Sequence, residues 1–316
     1  MGQISSHIKP QMAFPWKANG YCFFAALSWS FGFPAGTVLM ADWDLLTLLL
    51  VRLVPSTIIL LVVWWMLDGR LRLNKRIWAK GLAIGGIGFG FGSLLLLYGQ
   101  QISNPVTPAI AAAMMPIMGA MLEVMLDRRR LTPMLILGIL CAFIGGILAA
   151  GVRLSGINIG GGFFWCLSAI VLYAWATRAT NLYLRDLSAM GQTTITLAGA
   201  ALFAGMIWLI VLGGVSDQIR VGQIAGNTLI IIFAFSILSA AVAQPFWIAG
   251  ARGLGVAVAS FHLNAVPVYV MAIMVYAFGE EWDEMRLVGA AIVGIGVLLA
   301  QREPPQYKTM KSHFQM

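Results

Sequence analysis

Ala109-Ile110-Ala111-Ala112-Ala113-Met114-Met115-Pro116 and Ser260-Phe261-His262-Leu263-Asn264-Ala265-Val266-Pro267 open two copies of one pattern. The alignment runs on without a gap to Gly145 and Gly296, with Pro116 on Pro267 and Gly138 on Gly289. Between hydrophobic segments the first copy turns through Asp127-Arg128-Arg129-Arg130. The second turns through Glu280-Glu281-Trp282-Asp283-Glu284. Basic loops are retained on the cytoplasmic side of a membrane and acidic ones are free to cross, so the two copies are expected to lie upside down to each other. Inverted repeats of this kind are an architecture of secondary transporters, with the solute held near the midplane between the halves.

Working outward, 60% of the 316 residues are hydrophobic and 10% are charged, against about 25% charged in soluble domains. A membrane-crossing helix needs roughly 20 apolar residues. Such runs fall at Ala18 to Met40, Leu45 to Leu67, Ile77 to Leu97, Pro105 to Leu126, Thr132 to Gly151, Ile159 to Ala179, Ala189 to Gly213, Asn227 to Gly250, Gly255 to Gly279 and Met285 to Gln301. The expected fold is an all-α integral membrane protein of ten transmembrane helices, arranged as two inverted five-helix repeats. Residues 18–151 form the first repeat and 159–301 the second, with tails at 1–17 and 302–316. The opening segment has no small-residue cleavage signal, so the first helix is expected to stay in place.

With the N-terminus inside, sixteen of the twenty basic residues fall on inner segments, while Asp42, Asp44, Asp217, Glu280, Glu281, Asp283 and Glu284 gather outside. Both tails are therefore expected in the cytoplasm, and the net charge of +8 reads as topology rather than nucleic-acid binding. Phe23, Phe24, Leu27 and Ser28 also realign on Phe163, Phe164, Leu167 and Ser168, extending the duplication to the first helix of each half. An odd number of crossings per half inverts the second copy, in agreement with the charges. Glycines and alanines at helical spacing in the third, fifth and tenth spans mark close helix packing; a dimer face is the alternative.

The matched segments resemble the EamA-type transporters of the drug/metabolite transporter superfamily. The likeness is carried by Thr107-Pro108-Ala109 through Met115-Pro116 to Leu126-Asp127-Arg128-Arg129, and by Ala257 through Val266-Pro267 to Gly279-Glu280-Glu281. The second turn keeps the Gly-Glu of that family's Gly-Glu-Arg-like turn, whereas the first has Asp127-Arg128. The resemblance implies two five-helix repeats and a bacterial inner-membrane exporter of small metabolites, such as amino acids or related compounds, that works by alternating access.

Transport needs helices able to swing and a polar or aromatic cavity at mid-depth. Pro116 and Pro267, near the centres of their spans, each remove a backbone hydrogen bond and are hinge candidates or plain kinks. Candidate cavity residues are Ser28 and Trp29 in the first span, Tyr98 in the third, and Trp165, Ser168, Tyr173 and Trp175 in the sixth. Gln244 and Trp247 in the eighth and His262, Asn264 and Tyr269 in the ninth complete the set. Aromatic walls suit an amphipathic solute or a cation over ring faces; for Tyr98 an interfacial belt is the other reading.

Arg52 and Glu123 are among the few full charges inside spans. A charge at the bilayer centre costs about 2.5 to 3.5 kcal/mol on insertion scales, so each is a functional candidate by default. Arg52 would suit a substrate carboxylate, and Glu123 has a route to the inner interface. If protons couple to transport, His262 and Glu123 are the carriers to test. No nucleotide-binding, metal or disulfide motif is legible, so no cofactor is expected. An intramembrane enzyme would want clustered acids and histidines that the spans do not supply. The expected partners are a small solute and the lipid bilayer, with oligomeric state open.

Overall fold

The computed structural model describes residues 15–68, 74–102, 111–149, 161–212, 219–224, 226–279 and 281–302. Among these residues the regular structure is helical, with no strand. The chain begins with α1 (Trp16–Ser30) and α2 (Gly32–Leu39), then α3 (Leu45–Asp68). Next comes α4 (Lys75–Ile84), which passes through a π-helical turn at Gly85–Gly90 into α5 (Phe91–Gln101). The first half closes with α6 (Met115–Asp127) and α7 (Pro133–Ala149).

The second half runs α8 (Gly162–Tyr183), α9 (Ala189–Leu212) and α10 (Asn227–Phe233). A π-helical segment, Ala234–Val242, leads into α11 (Ala243–Leu254). Short α12 (Val256–Ser260) and a 3-10 turn (Phe261–Ala265) precede α13 (Val266–Phe278) and α14 (Glu284–Ala300). Side-chain caps start several helices. Asp44 accepts from the Leu46 and Thr47 amides, Asn74 from Arg76 and Ile77, and Asp283 from Met285 and Arg286.

Six helices are long and apolar enough to cross a membrane: Leu45–Asp68, Lys75–Gly99, Gly162–Tyr183, Ala189–Val211, Asn227–Leu254 and Val256–Tyr276. Six rather than ten long apolar helices are therefore counted among the described residues. The first span is broken at Phe31, between α1 and α2. The fourth begins in 103–110, outside the described residues. The fifth and tenth are 17-residue helices, roughly 26 Å long at 1.5 Å per residue and shorter than the hydrocarbon core.

The duplication shows in the helix bounds. α3 and α9 begin 144 residues apart (45 to 189). The pairs α6/α13 and α7/α14 have 13 and 17 residues and are offset by 151 (115 to 266, 127 to 278; 133 to 284, 149 to 300). The π turns match as well, since 85–90 shifted by 151 is 236–241, inside Ala234–Val242.

Contacts between the halves obey the same correspondence. A Cβ on Gly138 would lie 2.7 Å from the Gly296 carbonyl oxygen, and one on Gly145 would lie 2.6 Å from that of Gly289. Position rises along α7 as it falls along α14, so these two helices run antiparallel, backbone against backbone. Lipid tails offer no hydrophobic drive for helix association, and close approach through small residues supplies the van der Waals contact instead. The glycines of the third span are used the same way, with Gly85 against the Thr196 carbonyl and Gly88 against Ala176.

One expected match shifts. A Cβ on Gly99 would lie 3.0 Å from the Cys166 amide nitrogen, and one on Gly250 would lie 3.1 Å from that of Cys22. Gly99 and Gly250 are 151 apart, so Cys22 corresponds to Cys166, an offset of 144. Gly32 against Ser239 and Ala176 against Gly88 repeat it (32 to 176, 88 to 239). The pairing of Phe23 with Phe163 is therefore displaced by four residues, one helical turn, a slip that similar apolar side chains on successive turns conceal.

The prolines also act differently from simple mid-span kinks. Pro116 and Pro267 each stand in the first turn of a helix, α6 and α13, where a missing amide costs no internal bond. The preceding residues, Met114 (φ −84°, ψ −5°) and Ala265 (φ −86°, ψ −12°), have nearly identical backbones. Both spans are thus broken and restarted at matched positions.

Candidate functional site

The seam between the halves is lined by rings. Trp29 of the first half packs on Trp247 of the second at 5.4 Å between centroids, and Tyr21 and Phe24 approach Phe246 at 5.9 and 6.0 Å. Phe23 meets Tyr269 edge to face at 5.6 Å. Trp247 is 2% exposed and its indole N–H donates to the Thr177 hydroxyl at 3.0 Å, satisfying a polar edge that burial would otherwise strand.

On the pseudo-symmetric side, Tyr173 stacks on Phe89 at 6.3 Å, and its hydroxyl shares a 2.9 Å hydrogen bond with Ser93. The offsets of 144 and 151 equate Trp29 with Tyr173 and Ser93 with Gln244. Two related corners therefore carry a ring and a polar group each. Gln244 is buried, lies three residues before Trp247 on the same helical face, and makes no side-chain hydrogen bond among the described residues.

Arg52 lies on α3 and is partly buried. Its guanidinium carbon sits 5.2 Å from the centroid of Phe235, in the π-helical segment of the other half. Tyr173 is close enough to feel its charge. Pro55 interrupts α3 one turn further on, and the Ser56 hydroxyl sits within hydrogen-bonding distance of the carbonyls of Arg52 (2.6 Å) and Ser236 (2.8 Å), tying α3 across the seam. At the place equivalent to Arg52, α9 carries Thr196 (52 to 196).

Glu123 differs from its expected reach to the membrane surface. It is 3% exposed and ion-paired with the buried Arg129, and its Oε1 accepts the Ala257 amide at 3.2 Å. Arg128 makes this possible. Its left-handed backbone (φ 53°) ends α6 and turns the chain back, so that the Arg129 amide bonds the Glu123 carbonyl at 3.1 Å. Across the cluster a Cβ on Gly255 (φ 79°) would lie 2.7 Å from Oε1, so both the turn and the approach require glycine. At the same end of the bundle Asp127 of α6 accepts two guanidinium hydrogen bonds from Arg178 of α8, one at 2.7 Å.

Other candidates sit apart from these two corners. Tyr98 and Trp165 are 43% and 37% exposed and meet edge to face at 5.6 Å at the end of α5, which fits a belt better than a pocket. Ser168 donates to the Phe164 carbonyl of its own helix, Trp175 packs against the main core, and Ser28 makes no hydrogen bond among the described residues. Asn264 donates to the Ala142 carbonyl at 2.8 Å and so fastens the 3-10 turn to α7. His262 places Nδ1 3.2 Å from the Ala259 carbonyl. Sequence reasoning passed over Ser93, Thr177 and Phe235. Small hydroxyls and a phenylalanine carry no pattern of their own, and only the repeat offset could have matched Ser93 to Gln244. No cluster of three metal-ligating side chains occurs among the described residues.

The pattern that defines the EamA-like transporter family matches this chain twice, over residues 16–151 and 160–301. The chain belongs to the EamA-like transporter family. Membership of the drug/metabolite transporter superfamily follows. It is 27% identical over 236 residues to the uncharacterized transporter YyaM of Bacillus subtilis (strain 168), a match covering 72% of this chain and 75% of that protein. It also superposes on a protein crystal structure with a TM-score of 0.73 at 18% identity, over 90% of this chain and 96% of the other, a likeness of fold alone. A multi-pass membrane transporter is what family, apolar helices and fold jointly describe.

Proposed function

We propose that the protein is a secondary transporter that exports small amphipathic metabolites, amino acids or related compounds, by alternating access along the seam between its halves. The observation that carries this reading is the antiparallel pairing of α7 and α14 through Gly138/Gly296 and Gly145/Gly289. Two like halves run in opposite senses around a shared contact and can rock about it, exposing the seam to each side in turn.

On this reading residues 18–151 and 159–301 span a bacterial inner membrane in ten crossings, with the tails 1–17 and 302–316 in the cytoplasm. The solute lies among Trp29, Tyr173, Gln244 and Trp247, near the breaks before Pro116 and Pro267 that let α6 and α13 swing. The ion pairs of Glu123 with Arg129 and of Arg178 with Asp127 close the cytoplasmic end and part when the seam opens inward. Energy comes from a solute or ion gradient, and His262, which has no ion pair among the described residues, is the side chain to test for proton coupling.

Reconstitution into sealed proteoliposomes tests the proposal. Vesicles preloaded with unlabelled amino acids will accumulate the same labelled solute transiently by counterflow, and protein-free vesicles will not. If no member of an amino-acid and amine panel shows protein-dependent counterflow, the carrier reading of these solutes is wrong.

A further inference from the structure

One charge part-way along α3 has no counterpart in the other half: where α9 has Thr196, α3 has Arg52. No carboxylate answers it, for the ion pairs among the described residues use Arg129, Arg178 and Arg286. Nor does the Arg52 side chain form a hydrogen bond there. Its aromatic partner is the Phe235 ring.

That contact has a chemical consequence. A ring face attracts a guanidinium without accepting hydrogen bonds as a carboxylate would, so the five N–H donors stay available to a ligand. Planar donors in a fork match the two oxygens of a carboxylate. The Tyr173 hydroxyl, paired with Ser93, is a further polar group of the seam, and Phe89 and Phe235 offer apolar surface for the rest of a solute. The fold does not require the charge, because the matching position is a threonine.

We infer that Arg52, backed by Phe235, is the carboxylate-binding subsite of this transporter, so that its solutes carry a carboxylate beside an apolar body. This rests on the carrier reading only in placing the subsite on the transport path.

Matched pairs that differ in charge test it: 3-phenylpropionate against 3-phenylpropanamide and octanoate against octanamide, titrated by tryptophan fluorescence on purified protein in neutral detergent. The wild type will favour the carboxylate by about tenfold or more in at least one pair, as expected when charge-assisted bonds replace neutral ones. Arg52→Thr, which copies the other half, will abolish the preference, and Arg52→Lys will keep part of it. Equal binding of acid and amide in both pairs, or a preference that survives Arg52→Thr, overturns the inference. So does a preference erased by added phosphatidylglycerol, which would assign the guanidinium to lipid phosphate. Carboxylate preference without flux in vesicles would instead defeat the carrier reading and leave the subsite standing.

Discussion

At Glu123 the charge inside the membrane is answered locally. A buried pair gains little over an apolar replacement, but removing one partner strands the other charge, at a cost of about 3 to 5 kcal/mol. Glu123→Leu is therefore expected to lower the melting temperature in detergent sharply, and Glu123→Leu with Arg129→Leu to recover much of the loss. The Trp247 to Thr177 bond is neutral and smaller. Thr177→Val leaves the indole N–H unpaired and is expected to cost about 1 to 3 kcal/mol, read as a fall in the same melting temperature. Trp29→Ala removes a ring from the seam while leaving α1 intact, so flux will drop with insertion unchanged. His262→Gln will flatten the pH profile of flux if protons are the coupling ion, and an unaltered profile removes His262 from that role.

At the scale of the element, the glycine faces make a sharp contrast. Gly145→Ala and Gly289→Ala drive a methyl into a facing backbone, and α7 and α14 must separate. Gly294, with nothing within 4 Å, accepts alanine freely, and the helix gains up to about 1 kcal/mol. Thermal unfolding of the three variants measures the difference. Much of this scale was legible in the sequence. Hydrophobic runs located α3 and α8 to α11 closely, because apolar length is what a bilayer demands. The π turns were not legible, since Gly85-Gly86-Ile87-Gly88-Phe89-Gly90 and Ala234 to Val242 share no sequence signal. The partnership of Glu123 with Arg129 was also hidden, because it depends on one left-handed residue, Arg128, in a turn that reads simply as basic. Arg52, by contrast, stood out as a lone charge in an apolar run, while Phe235 beneath it could be found only from the fold.

For the whole molecule, opposite orientation of the halves is the feature that matters most. Arg130 and Glu281 are exposed at the corresponding turns of the two repeats. Single cysteines at these positions, in a background with Cys22, Cys141 and Cys166 replaced, will react with a membrane-impermeant maleimide from opposite faces of right-side-out and inverted vesicles. Labelling of both from one face would overturn the inverted arrangement and the rocking mechanism with it. The offset of 151 was readable across the last two helices of each repeat because turns, prolines and glycines punctuate them. The offset of 144 in the first two helices emerged only from the fold, in the helix starts and in which backbones touch.

The paired π turns bear on how this bundle moves. Each packs one surplus residue into a coil that then runs out of step with its neighbours, and such a dislocation can migrate along a helix by exchanging one hydrogen bond at a time. A half carrying one can rotate its lower portion against its upper without unwinding. Amide deuterium uptake at 85–90 and 234–242 will accordingly outpace that of the flanking coils, and the two sites will quicken together when a solute is cycling.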